Sequence, residues 1–361
     1  MHEHGVLIAG TGLLTSVGLC TASAAAALRC RVNRFERMDV AGPEHGGEHR
    51  VTTAPLPPEL QDAHSEPAAL LGRWMAEAAH AALAEAVRSA LPGLASGRLT
   101  AADVPVLACL MEPTRPGRPA DLERTLVHAF MQLHGAVASG SRAFAQGSVA
   151  PALALQHAQQ LLYEQGAPAV LVTAVDSYLL PETLALLCEQ RRCLGPGQPE
   201  GFVPGQAAAA LLLMRGDFES DADAFPEQLY FAGTGLAQEA ALLGNDVPHT
   251  GQALTQALRL ACANGAQDIA STDLVLADLS GEAFYAEEHT LAHLRGFQSC
   301  MDAPALWLPA ESLGHTGAAS GLIAAAWLRE AQRLRYAPGF NSLCQLAGDD
   351  GQRAAIAFTY L

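Results

Sequence analysis

Short apolar runs alternate with longer stretches in which apolar positions recur every three or four residues. The first run, Val6 to Ala9, ends in Gly-Thr-Gly and reads as a buried strand followed by a glycine turn. "LCTASAAAALR" then reads as a helix, with Thr15 or Ser16 near its start. "EPAALLGRWMAEAAHAALAEAVRSAL" has helical spacing of apolar residues, and "VPVLACLM" is a strand. The Gly147-Ser148 turn opens a helix that closes at Gly166, and the strand "AVLVTAVDS" follows. "ETLALLCEQRR" predicts a helix, and Ala208–Met214 a strand. The pattern then begins again. "LYFAGTGLAQE" mirrors "VLIAGTGLLTS", and it is followed by the helix "TGQALTQALRLACANG" and the strand "TDLVLADLSGE". A Gly turn, the buried helix "GLIAAAWLREAQRL" and the strand "AAIAFTYL" complete the chain.

Alternating strands and helices predict an α/β fold with sheets that are at least partly parallel. The near-repeat predicts two similar halves, 1–215 and 226–361, joined through an acidic stretch near residues 216–226. The Pro/Gly/His-rich segment "VAGPEHGGEHRVTTAPLPPEL" reads as a surface excursion.

Composition narrows the chemistry. Of 361 residues, 50% are hydrophobic and 16% charged, which permits a large core and hints at oligomerisation. A net charge of -16 with no basic stripe argues against nucleic acid and against an anionic membrane surface. An acidic carrier protein would need a local basic patch, for which Arg191-Arg192 is the adjacent basic pair. The eight cysteines form no Cys-x-x-Cys and no zinc-finger spacing, so no metal site is expected and the thiols read as reduced core residues of a cytoplasmic protein. "GVLIAGTGLLTSVG" is too short and too glycine-broken for a signal peptide, and no apolar run is long enough to cross a bilayer.

Three pieces carry a resemblance: "VLIAGTGLLTSVG", "EGFVPGQAAAALLL" and "ESLGHTGAASG", in that order, with the Gly147 turn between the first two. In order and spacing the chain resembles the β-ketoacyl-acyl-carrier-protein synthases of the thiolase-like superfamily. The resemblance implies a five-layered αβαβα fold of two pseudo-duplicated halves. It also implies a homodimer, or a heterodimer with an active ketosynthase, that meets an acyl carrier protein and needs no cofactor. The family's reaction is decarboxylative condensation through a cysteine and two histidines. A thiolate at a helix N-terminus is a good nucleophile, and imidazole N–H groups stabilise a developing oxyanion.

The match breaks at the reacting groups. The cysteine seat falls within Gln146–Val149, and no Cys lies between Cys109 and Cys188. The first histidine's place, Leu276 to Glu282, offers Asp278, Ser280 and Glu282 instead. An anion there repels a malonyl carboxylate. The lysine expected before the second histidine is replaced by Ala310 and Glu311. His315, in "GHTGAASG", matches the second histidine.

Each candidate has two readings. Ser148 is a nucleophile with His315 as its base, or it caps a helix. Gln146 is a neutral stand-in for the thiolate, or a polar loop residue. His315 is an oxyanion donor, or a structural histidine. Phe202 stands at a gating position, or is a core aromatic. Val149 shares the seat. Asp278 and Glu282 are an acid–base pair, or ordinary residues after a strand. Cys188 and Cys193 are displaced thiols, or inert core residues. With three of four catalytic groups absent, the chain reads as a degenerate, non-condensing subunit of the chain-length-factor kind in fatty-acid or polyketide metabolism. The enzyme alternatives are an acyl-thioester hydrolase or transferase using Ser148, and a malonyl decarboxylase using Gln146, each with His315.

Overall fold

The computed structural model describes residues 5–41, 48–62, 64–88, 101–216, 228–300 and 302–361. The acidic junction near 216–226, the centre of the His-rich excursion and the predicted end of the long helix fall outside these residues, Gly216 excepted.

One ten-stranded sheet organises the chain. Its first half runs β1 (Val6–Thr15), β7 (Gln206–Arg215), β6 (Val170–Ser177), β4 (Val106–Cys109) and β5 (Arg142–Phe144). The second half runs β8 (Leu229–Gln238), β12 (Gln352–Tyr360), β11 (Asn341–Ala347), β9 (Leu274–Ala277) and β10 (Ala305–Trp307). In both halves the first two pairings are antiparallel and the last two parallel. The halves meet through a short antiparallel contact, Val6 with Phe231 and Leu7 with Tyr230. The excursion forms a two-stranded hairpin from β2 (Glu36–Ala41) and β3 (Glu48–Thr53).

The duplication extends to an irregularity. β1 skips Ala9 against β7, and β8 skips Ala232 against β12. Each bulge immediately precedes a Gly-Thr-Gly. The glycines do not make a turn, as the sequence pattern suggested; both strands run straight through them. A Cβ at Gly12 would overlap the Ala78 carbonyl of α2 (Pro67–Arg88). One at Gly235 would overlap the Ala257 carbonyl of the equivalent helix, Gln252–Asn264. The missing side chains let each helix lie directly on its strand.

Those contacts define the layers. α2 and Leu122–His134 cover the outer face of the first half. Gln252–Asn264 and Ala283–Gly296 cover the outer face of the second. Ala150–Tyr163 and Ser320–Arg333 lie between the two halves, in an all-apolar central core that includes Leu155, Leu162, Leu322 and Leu328. Ser320–Arg333 is buried almost all round, and its small Ala and Gly residues permit the close packing. In chain order the helices are α1 (Thr21–Arg29), α2, α3 (Leu122–His134), α4 (Ala150–Tyr163), α5 (Pro181–Glu189), α6 (Gln252–Asn264), α7 (Ala283–Gly296), α8 (Ala310–Leu313) and α9 (Ser320–Arg333).

Candidate functional site

Each central helix is entered through the same elbow. Gly147 (φ 55°) and Gly317 (φ 51°) begin single 3-10 turns, Gly147–Val149 and Gly317–Ala319, which lead into α4 and α9. The preceding residues have matching backbones: Gln146 at φ -114°, ψ 25° and Thr316 at φ -109°, ψ 11°. The two turns pack against each other between the sheet halves. Positive φ favours glycine at both apices.

A carboxylate occupies the space beside each elbow glycine. At Gly147 a Cβ would overlap Glu112 Oε1, and at Gly317 it would overlap Asp176 Oδ2. Asp176, on β6, is fully buried; its Oδ2 accepts the Ala318 N–H (2.9 Å) and its Oδ1 the Ser177 N–H (2.7 Å). Arg115 binds both acids: Nη1 donates to Asp176 Oδ1 (2.6 Å), while Nε (2.9 Å) and Nη2 (2.5 Å) donate to Glu112 Oε2. The guanidinium lies 4.1 Å from the Tyr178 ring centre, and Nη2 donates to the Tyr178 hydroxyl at 3.1 Å. Burial raises the Asp176 carboxyl above its ordinary value, with the Arg115 charge opposing.

His315 lies behind this cluster. Its ring is wedged between Tyr178 (4.8 Å between centres) and Phe202 (5.4 Å), and Nδ1 is buried without a hydrogen-bond partner. Burial lowers its pKa to about 4, so the ring is neutral at pH 7. The space it shares with Asp278, Thr316, Ser320 and Cys344 holds only about 10 Å³. Burial lifts the Asp278 carboxyl to about 7, opposed by the hydrogen bond it accepts from the Ala347 N–H (2.9 Å).

On the other side of Tyr178 lies an open cleft of about 810 Å³. Glu112, Arg115 and Tyr178 form part of its lining, with Arg191, Phe284 and Asp350 among the residues around it. A second ion-pair node lines the same cleft. Arg192 is bidentate to Glu282 (2.8 and 2.9 Å) and also binds Asp349 (2.6 and 3.1 Å), which accepts from the Tyr285 hydroxyl at 2.5 Å. Burial alone would raise Asp349, but Arg192 and Tyr285 pull it down to about 2.

The predicted site residues are not one constellation. Ser148 is buried inside the first 3-10 turn, no hydrogen bond joins it to His315, and neither that turn nor α4 has a side-chain cap. The capping reading is therefore corrected: Ser148 follows the cap position instead of occupying it. Val149 is fully buried in the central core. Gln146 Oε1 is buried without a partner. Phe202 packs edge-on against His315 and Tyr178. Asp278 and Glu282 do not share a hydrogen bond; Glu282 is held by Arg192, so the acid–base pairing is also corrected. Among the described residues no group of three or more His, Cys, Asp or Glu side chains could hold a metal. No described helix is long and apolar enough to cross a membrane.

Solved structures match along the whole chain. A type II polyketide-synthase acyl-carrier protein in complex with its ketosynthase bound to the hexaketide, AntDE:AntF, superposes with TM-score 0.80 at 13% identity, covering 99% of both chains. The fold is that of the ketosynthases. The ishigamide ketosynthase/chain length factor gives TM-score 0.76 at 15% identity over 99% of each chain. The ketosynthase from module 6 of the bacillaene synthase of Bacillus subtilis 168 gives 0.76 at 15%, covering 98% of this chain and 72% of the other. No family model and no curated protein matches the sequence.

Within this ketosynthase fold, Glu112, Arg115, Asp176 and Tyr178 escaped the sequence reading. They come from the ends of β4 and β6, far apart in sequence from either elbow. The available signal was charge: Glu112 ends the apolar run after β4 and Asp176 stands inside the apolar strand β6, where a carboxylate needs a partner.

Proposed function

We propose that this ketosynthase-fold chain is a non-condensing subunit of fatty-acid or polyketide type, in which the nucleophile's seat is closed by Glu112. The observation that carries the reading is the first elbow. Its apex is a glycine, and the space a side chain would enter is taken by a carboxylate tied to a buried arginine. A thioester carbonyl brought to this point meets no thiol. A malonyl carboxylate or an enolate would approach Glu112 and, deeper in, Asp278. That charge arrangement also argues against the decarboxylase alternative using Gln146. The hydrolase alternative needs Ser148 within hydrogen-bond reach of a base, and the two side chains are not so placed.

The partners of such a subunit are an active ketosynthase or a second copy, and an acyl carrier protein. The ishigamide relative pairs a ketosynthase with a chain length factor, and AntDE binds its carrier protein. Intact mass measurement after incubation with acyl and malonyl thioesters, with and without carrier protein, tests the reading. The expected outcome is no adduct and no thioester loss from the pure chain. An acyl adduct on Ser148 or a cysteine, or carbon dioxide release from the malonyl thioester, would sink it.

A further inference from the structure

Two histidines one turn apart on α7, His289 and His293, meet at a single oxygen. His289 Nδ1 donates to Gln345 Oε1 at 3.1 Å, and His293 Nε2 donates to the same atom at 3.0 Å. The ring centres are 3.7 Å apart and the planes are tilted by 38°. The i, i+4 spacing puts both rings on one face of the helix. That face meets Gln345, a buried residue of β11. Phe297 closes one flank, 4.8 Å from the His293 ring centre. Both histidines keep part of their surface in solvent, so the pair can be reached from outside. Burial and the neighbouring ring lower the His293 pKa to about 4, and burial lowers that of His289. Two imidazolium ions in ring contact would repel. Two neutral imidazoles do not, and each carries a nitrogen lone pair that a metal can take. Among the described residues no third His, Cys, Asp or Glu joins the pair. The third donor is the Gln345 amide oxygen.

We propose that His289 Nδ1, His293 Nε2 and Gln345 Oε1 form a binding site for a zinc ion, with water as the fourth ligand, that ties α7 to β11. Two histidines at this helical spacing suit zinc because both rings face one point. The donor atoms already have nearly the right separation. Each nitrogen lies 3.0–3.1 Å from Oε1, and two donors on one tetrahedral zinc, with bonds of about 2.0–2.1 Å, stand about 3.3 Å apart. On binding, the proton on each ligating nitrogen passes through water to the other nitrogen of the same ring. The rings stay neutral and no net proton is released. The first turn of α7 carries Ala283 and Phe284, which line the large cleft, and Tyr285, which donates to Asp349. Zinc at the middle of the helix therefore fixes one wall of that cleft against the sheet.

The experiment strips the full-length protein of metal with EDTA, titrates it with zinc chloride and follows amide hydrogen exchange. Exchange in peptides covering 283–296 and 341–347 should slow as zinc is added. Zinc held only by the exposed thiols of Cys20 and Cys30 leaves α7 exchange unchanged. That result, or a failure to retain zinc at all, overturns the proposal. The wild-type measurement decides this whether or not any variant folds. Equilibrium dialysis with metal analysis then tests the ligands. His289→Ala and His293→Ala should each bind one zinc fewer than the wild type. Gln345→Leu should weaken binding by about tenfold or more, since losing even an outer partner of a metal ligand costs about 10–100-fold in affinity. Folded variants that keep the wild-type zinc content and affinity overturn the proposal as well.

Discussion

The first elbow combines two constraints on one residue. Gly147 holds φ 55°, and its missing side chain leaves room for Glu112 Oε1. Gly147→Cys should therefore cost about 2–3 kcal/mol, one part from the left-handed backbone and one from displacing a hydrogen-bonded carboxylate. Adding Glu112→Ala should recover the second part only. Urea denaturation of the single and double variants measures this coupling; strict additivity would show that Glu112 does not fill the seat. Partly buried titrating groups set an acid response. His315 has a folded-state pKa of about 4, below its unfolded value near 6.5. Its neutral form is favoured by folding, so its contribution is present above pH 6.5 and lost as pH falls toward 4, by up to about 3 kcal/mol. His293, which donates to Gln345, behaves in the same sense. Asp278, raised to about 7, acts oppositely: its contribution is present below pH 4 and lost as pH rises through 7. Denaturation midpoints at pH 5, 6 and 7.5 should therefore fall on acidification. Asp278→Asn should steepen that fall, and His315→Ala should flatten it. A midpoint that does not change between pH 7.5 and pH 5 contradicts this account.

At the scale of elements, the repeated Gly-Thr-Gly governs how a helix lies on a strand. Gly12 faces α2 and Gly235 faces α6, each with a helix carbonyl where a Cβ would go. Gly12→Ala and Gly235→Ala should each cost about 1–3 kcal/mol by forcing helix and strand apart. Gly166, which closes the α4 loop at φ 70° with open space around it, is the control. Gly166→Ala carries only the backbone cost of about 1 kcal/mol. Equal costs at all three positions would contradict the close-packing explanation. The same glycines show where periodicity misled. Gly-Thr-Gly after an apolar run signals a turn when local chemistry is considered alone. It becomes strand interior because the partner helix supplies the packing surface that a side chain would otherwise provide.

On the scale of the whole molecule, β5 is a three-residue strand at one end of the ten-stranded sheet, paired among the described residues on one side only, by β4. Val127, Met131 and Leu133 of α3 are exposed. An unpaired edge is a template for another chain, and we expect it to be covered in the working assembly. Light scattering on the pure protein should report a dimer, or co-expression with an active ketosynthase should yield a stable complex; Ala143→Pro on β5 should weaken either one. Assembly unaffected by that variant would place the interface elsewhere. The alternation of strands and helices, the two halves and the glycine-marked entry to each central helix were legible in the sequence, because periodicity and backbone-permissive residues act locally. So was the absence of any cysteine between Cys109 and Cys188, since no alignment shift can supply an absent residue. The group that fills the space beside Gly147 was not legible. Glu112 follows β4 and Asp176 lies on β6, strands whose place beside the elbows is set by sheet order, and Arg115 reaches Asp176 across 61 residues of chain. Which buried charges meet, and which residue fills a missing side chain's space, depends on the packing of distant segments. Only the tertiary structure decides it.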